Sequence, residues 1–211
     1  GVGKSTIAKA IAKKFGITYL DTGAMYRAVA YTAVGLGIDP KDEVAVANML
    51  ENFDMDIVFE DGAQQIFVNG KNTTPYLREY AISKAASDIS ALSVVRTKMV
   101  DLQRKFAEVR DIVLDGRDIG TVVLKDANCK FFLVAEDAER AKRRYLELKE
   151  KGKEVEYETV LKDIKERDFN DSHRDISPLA KALDAELIDT TNMTIDEVTN
   201  YVASVVKEKI K

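Results

Sequence analysis

The chain has 211 residues, 45% of them hydrophobic and 32% charged, with a net charge of −4 and a single cysteine. That length suits one domain that buries its own core, and the acidic balance argues against a general nucleic-acid binder. No apolar run approaches the roughly 18 residues of a membrane span, one Cys and one His exclude a disulfide framework and a conventional zinc site, and no export leader is visible, so a cytoplasmic setting is expected.

In chain order, residues 6–15 read as a helix stopped by Gly16, and 17–20 as a short strand ending at Asp21-Thr22-Gly23. A helix is expected over 25–34, and a second from Asp39-Pro40 to Glu51. Residues 55–59 and 65–68 are strand-like and separated by Asp61-Gly62, while Asn69-Gly70 is a hairpin turn signal. This β-meander, about 54–75, interrupts an otherwise alternating α/β pattern. Helical spacing returns over 77–109 with a break near Leu92-Ser93.

Three apolar strands follow, at 112–114, 130–134 and 186–188, and runs of this kind suit parallel strands covered by helices on both faces. Cys129 opens the second and is read as a packing residue. A charged helical region spans about 137–174, with the lone His173 read as a surface residue. The last helix starts at a capping box, Thr194-Ile195-Asp196-Glu197.

The strongest chemical signal is Gly1-Val2-Gly3-Lys4-Ser5-Thr6 followed at once by a helix. Glycines let the backbone curl so that N–H groups face phosphate oxygens, the lysine reaches the terminal phosphates and the serine hydroxyl ligates Mg²⁺. The full P-loop pattern also has an earlier glycine and a preceding strand. A fold without that central strand is expected to leave neighbouring strand edges exposed.

Further basic residues stand where strands end. Arg27 follows Asp21-Thr22-Gly23, and Arg117 follows the strand that closes on Asp115. In a doubly wound sheet such positions border one crevice, so both arginines are candidates for a second anionic group, held through their planar forks. Asp115 is a candidate for orienting the metal ion and its waters. Arg140, Lys142, Arg143 and Arg144 form a basic stretch, either a solvated face or a lid. Arg167 and Arg174, seven residues apart, share one helical face.

Taken together, Gly3-Lys4-Ser5-Thr6, Asp21-Thr22-Gly23-Ala24-Met25-Tyr26-Arg27 and Asp115-Gly116-Arg117-Asp118-Ile119-Gly120-Thr121-Val122-Val123 resemble bacterial cytidylate kinases. Ala85-Ala86-Ser87 with Arg96, and Ile164-Lys165-Glu166-Arg167-Asp168, extend the likeness over essentially the whole chain. The resemblance implies an α/β P-loop nucleoside-monophosphate kinase fold, a parallel sheet flanked by helices with a small β insertion and a helical lid. As one domain, its core would take about 1–34, 111–136 and 182–211, its acceptor-binding region about 35–110 and its lid about 137–160.

The implied reaction is Mg²⁺-dependent phosphoryl transfer from ATP to CMP or dCMP. ATP would be held by Gly1, Val2, Gly3, Lys4, Ser5 and Thr6, and the metal by Ser5 and Asp115. Thr22, Arg27, Ser87, Arg96, Arg117, Asp118, Arg167, Asp171 and Arg174 would bind the acceptor. Its phosphate would fall to Arg27, Arg117 and Arg167, its cytosine to Ser87 and Arg96 with Asp118 and Arg174 close by, and its ribose to Asp171. Lys4, Arg117, Arg143 and Arg144 would carry catalysis. Where some members have a further arginine this chain has Asn170. A monomer working on small nucleotides, without nucleic acid or membrane, is implied.

Two other readings stand beside it. One is an N-terminally truncated nucleotide-binding module with little activity. The other is a different nucleoside-monophosphate or small-metabolite kinase; adenylate kinases, for example, carry Asp-Gly-Phe-Pro-Arg where this chain has Asp115-Gly116-Arg117-Asp118.

Overall fold

The computed structural model describes residues 2–60, 62–150 and 152–210. Its elements in order are α1 (Lys4–Phe15), β1 (Thr18–Asp21), α2 (Thr22–Gly35), α3 (Glu43–Glu51), β2 (Met55–Glu60), β3 (Ala63–Val68), β4 (Lys71–Asn72), α4 (Tyr80–Ile89), α5 (Ser93–Glu108), β5 (Ile112–Asp115), β6 (Phe131–Val134), α6 (Asp137–Glu150), α7 (Tyr157–His173), β7 (Glu186–Asp189) and α8 (Ile195–Lys209). The architecture is α/β, as expected, and no helix among the described residues is long and apolar enough to cross a membrane.

The chain divides into two compact units, Ile17–Gly116 and Gly1–Gly16 with Arg117–Lys211. The grouping places 17–34 and 111–116 with 35–110 rather than with the rest of the expected core. The reason is local: β1 pairs in parallel with β5, and α2 packs along α4 and α5.

In the first unit the core gathers Leu20, Met25, Val29, Val46, Ile66, Ile89, Val95 and Met99. Helix α2 is buried on most sides, with Met25, Ala28, Val29, Ala30 and Ala33 all inaccessible, and its alanines let its neighbours approach closely. The meander is antiparallel, with Met55 opposite Val68 and Phe67 opposite Asn72. Asn69 and Gly70 both have positive φ, 48° and 76°, which is the turn the Asn-Gly pair signals. Asp61 of the other expected turn lies outside the described residues. Helix α3 begins later than Asp39-Pro40 suggests. The Asp39 side chain accepts from the Lys41 N–H and shapes a turn, leaving Asp42 to cap the helix by accepting from the Ala45 N–H at 3.0 Å.

In the second unit α1 packs on α8, and β6 pairs in parallel with β7. Thr194 and Glu197 form the expected reciprocal cap of α8. The charged region resolves into α6 and α7, joined by a small core of Ala141, Leu148 and Val160. A five-residue π-turn, Ile119–Val123, follows Asp118, an irregularity that the apolar sequence there does not announce. Cys129 stands just before β6 and is half-buried, and burial raises its thiol pKa, which suits a packing role.

The expectation of strands covered on both faces holds only in part. Every residue of β5 and β6 is half-buried. Among the described residues β5 pairs only with β1, and β6 only with β7. Among the described residues neither pair has a third strand beside it, and side chains at such edges keep some of their surface.

Candidate active site

The phosphate loop is described from Val2 onward, Gly1 lying outside the described residues. Gly3 takes a left-handed conformation, φ 86° and ψ 4°, and turns the chain into α1 at Lys4. A side chain there would be strained, and its Cβ would stand 3.0 Å from Cδ1 of Ile195. Lys4, Ser5 and Thr6 form the first helical turn, which carries no acidic residue and whose N–H groups and dipole end suit an anion. The loop is steadied by Thr190, whose hydroxyl lies 3.3 Å from the Val2 carbonyl.

In the unit that begins at Ile17, Asp21 organises the end of β1. Its Oδ1 accepts from the Ala24 N–H at 2.9 Å and so caps α2. Its Oδ2 pairs with Nη2 of Arg27 at 3.0 Å. Gly23 makes room for this pair, since a Cβ there would lie 3.2 Å from both Arg27 Nη1 and Asp21 Oδ1. Thr22 is buried and donates to the Asp115 carbonyl at 2.6 Å, while an oxygen of the Asp115 carboxylate accepts from the Tyr19 hydroxyl at 3.0 Å. On α5, Arg96 is only 3% exposed. Its Nη1 donates to the Ser90 carbonyl at 3.0 Å, and its guanidinium lies 5.5 Å from the centre of the Tyr26 ring. Ser87, also expected at the acceptor, is half-buried one turn before Ser90 on α4.

In the other unit, which also carries the phosphate loop, Asp171 gathers Arg117, Arg167 and Arg174. Arg117 Nε donates to its Oδ2 at 2.7 Å, and Arg167 and Arg174 each approach to 3.9 Å. Arg174 also approaches Asp118 at 3.9 Å and donates from Nε to the Ser177 carbonyl at 2.6 Å. The carboxylates of Asp118 and Asp171 and the Arg174 fork are all buried, so this is an ion cluster with little access to water.

The arginines of α6 diverge. Arg140 makes a two-pronged contact with Asp168 of α7, which keeps its guanidinium firmly charged. Arg143 spans Glu139 and the carbonyls of Thr190 and Thr191, at 2.9 and 3.2 Å. Arg144 pairs with Glu147 at 2.8 Å on a more exposed face. His173 is exposed, with Nδ1 near the Phe169 carbonyl.

The structure thus brings Arg117, Arg167, Asp171, Arg174 and Asp118 together in one unit, and Thr22, Arg27 and Asp115 around the β1 and β5 ends of the other. Sequence reasoning missed Asp21 as the carboxylate that holds Arg27, although its place before a helix marks it as a cap. It also missed Tyr26 beneath Arg96, the Arg140–Asp168 contact, and Gln64, whose side chain reaches the Asp21 main chain from the β insertion. Taken each in its own unit, Ser5 offers a hydroxyl and Asp115 a carboxylate, and both are hard oxygen donors of the kind that suits Mg²⁺.

Comparison with known proteins identifies the family. The family described as Cytidylate kinase matches residues 1–208. A cytidylate kinase of Lactobacillus johnsonii is 48% identical over 99% of this chain and 91% of its own length. Those of Caldicellulosiruptor saccharolyticus and Clostridium tetani are 46% identical, over 96% of this chain and 89% of the relative, and 45% identical, over 100% and 91%. A match over nearly the whole chain at this identity, with the phosphate loop and both arginine-bearing strings present, admits one conclusion: the chain belongs to the cytidylate kinase family.

Proposed function

We propose that this chain transfers the terminal phosphoryl group of ATP to CMP or dCMP, giving ADP and CDP or dCDP. The observation that carries the reading is the gathering of Arg117, Arg167 and Arg174 at Asp171, in the same compact unit as the Gly3–Lys4–Ser5 turn. One compact unit thus holds a phosphate loop and a second concentration of guanidinium groups. Membership of the family supports CMP over the AMP or shikimate of other small kinases, and does not favour a mere binding module.

An oxygen of the acceptor phosphate attacks the γ-phosphorus in line, the bond from that phosphorus to the β-bridging oxygen breaks, and ADP departs. The nucleophile is already an anion, so no general base is required. Catalysis then rests on alignment and on neutralising charge. Val2, Gly3, Lys4, Ser5 and Thr6, with Gly1, take the ATP phosphates. Arg27, Arg117 and Arg167 take the acceptor phosphate, their forks matching its oxygens. Ser87 and Arg96 read the cytosine, Thr22 supports the acceptor, Asp171 takes the ribose, and Asp118 and Arg174 complete the acceptor set. Lys4, Arg117, Arg143 and Arg144 offset charge on the transferring group.

Mg²⁺, held by Ser5 and Asp115 together with the triphosphate, would supply charge neutralisation when bound. A cytoplasmic monomer fits such a role. The test is a coupled ADP-release assay across CMP, dCMP, UMP, AMP and shikimate, repeated with Arg117→Ala. CMP and dCMP should lead, and the variant should lose roughly 100-fold or more in kcat/KM. Preference for AMP or shikimate would overturn the assignment.

A further inference from the structure

The β insertion falls within the region expected to bind the acceptor, yet none of its residues has a role in the proposed chemistry, and a side chain of β3 supplies one. Along β3 alternate residues share a face, so Gln64 stands in line with the buried Ile66 and Val68. A polar side chain on the apolar face of a strand needs partners, and Gln64 finds them on the main chain of Asp21. Its Oε1 accepts from the Asp21 N–H at 2.7 Å, and its Nε2 lies 3.3 Å from the Asp21 carbonyl. The two partners fix which way the amide faces.

Asp21 ends β1 opposite Asp115 of β5. The Gln64 amide meets both of its main-chain groups, as one residue of an additional strand would.

Asp21 is consequently held from three directions. Gln64 takes its main chain, its Oδ1 caps α2, and its Oδ2 pairs with Arg27. The Arg27 fork depends on this arrangement. Among the described residues its buried Nε has no hydrogen-bond partner, Nη2 is on Asp21, and Nη1 lies against Gly23. A shift of the Asp21 main chain therefore moves the guanidinium.

We infer that Gln64 is a positioning residue through which the β insertion sets Arg27 for the acceptor phosphate. This rests on the reading that Arg27 binds that phosphate. It assigns the insertion a part in acceptor affinity that is separate from ATP binding. Loss of the amide spares the insertion's own fold, since the β2–β3 ladder from Met55–Val68 to Glu60–Ala63 is made by main chain.

The test compares Gln64→Met, which keeps length and removes the amide, with Gln65→Met, at a position whose native side chain accepts from the Asn72 side chain within the meander. Initial rates are measured against CMP and ATP separately, in otherwise wild-type protein and with Arg27→Met. Gln64→Met should raise KM for CMP about five- to tenfold while KM for ATP stays within about twofold. Gln65→Met should change neither. In the Arg27→Met background the Gln64 substitution should add less than about twofold, because it acts through the same guanidinium.

An unchanged KM for CMP in Gln64→Met overturns the inference, as does a parallel rise in both KM values. An equal rise with and without Arg27 overturns it too. If Arg27→Met itself leaves KM for CMP unchanged, the acceptor-phosphate reading fails and the inference falls with it. A rise in Arg27→Met but not in Gln64→Met sinks the inference alone. Should Gln64→Met fold poorly, Gln64→Glu retains the acceptor for the shorter bond, and its KM for CMP should lie between wild type and Arg27→Met; a value equal to wild type also overturns the inference.

Discussion

Asp21 and Asp171 each hold arginines proposed above for the acceptor, and they do so in different ways. Asp21 works locally. It caps the helix that begins at the next residue and pairs with Arg27 six positions on, with both side chains about one-fifth exposed. Asp171 works at long range. It is 9% exposed at the side chain and takes Arg117 from 54 positions away, with Arg167 and Arg174 close by on its own stretch of chain. The difference teaches that a guanidinium can be aimed either by helix-terminus geometry or by the packing of distant segments. The second way costs more to disrupt, because the charges involved are out of water.

The largest effect should come from Asp171→Ala. It removes the carboxylate at the centre of three guanidinium groups, one of them on the buried Arg174, and should lower unfolding free energy by about 3 kcal/mol in urea titration. Asp21→Ala removes a helix cap and a partly exposed ion pair, for a loss of about 1–2 kcal/mol in the same measurement. A loss at Asp21 equal to that at Asp171 would break the contrast drawn here.

Gly23→Ala sharpens it from the functional side. The new Cβ would stand 3.2 Å from the Arg27 fork and the Asp21 carboxylate, so the pair must shift. KM for CMP should rise about fivefold, while better helix propensity keeps stability within about 0.5 kcal/mol of wild type.

The smallest effect concerns the α8 cap, which is remote from both carboxylates in sequence and gives a purely local reference. Hydrogen bonds from the Thr194 main-chain N–H and then its hydroxyl hold the Glu197 carboxyl below the usual range. A lowered folded-state pKa contributes stability that is present above the unfolded value and lost as pH falls through the folded one. The stability difference between wild type and Thr194→Ala should therefore be full near neutrality and shrink on acidification, as read by thermal melts from neutral pH down through the carboxylate range. A difference that grows on acidification would contradict the cap.

Much of the secondary structure was legible because its signals are short-range. Gly16 ends α1 with φ 66°, Asn69-Gly70 makes its turn, and Thr194 with Glu197 starts α8. Where two local signals competed the reading slipped. Asp39-Pro40 resembles a helix start, but the bond from the Ala45 N–H to Asp42 sets the start three residues later. The π-turn after Asp118 was not legible, since its apolar residues carry no period that separates it from a helix or a strand. At the site, the arginines and the phosphate loop stood out as residue types beside turns. Their partners did not. Gln64 is an ordinary polar residue near a turn until β3 is placed beside β1, and Tyr26 becomes a platform only when α5 lays Arg96 above it.

By itself the sequence determined an α/β chain with a phosphate loop, because glycines, caps and apolar periods act over a few residues and need no distant partner, and its longer strings carried the resemblance to cytidylate kinases. Tertiary structure decided which carboxylate holds which arginine, which unit each strand joins, and that the β insertion touches the end of β1. Those outcomes depend on bringing together segments as far apart as Arg117 and Asp171, and hydrogen-bond geometry is satisfied only after the helices and strands between them have packed.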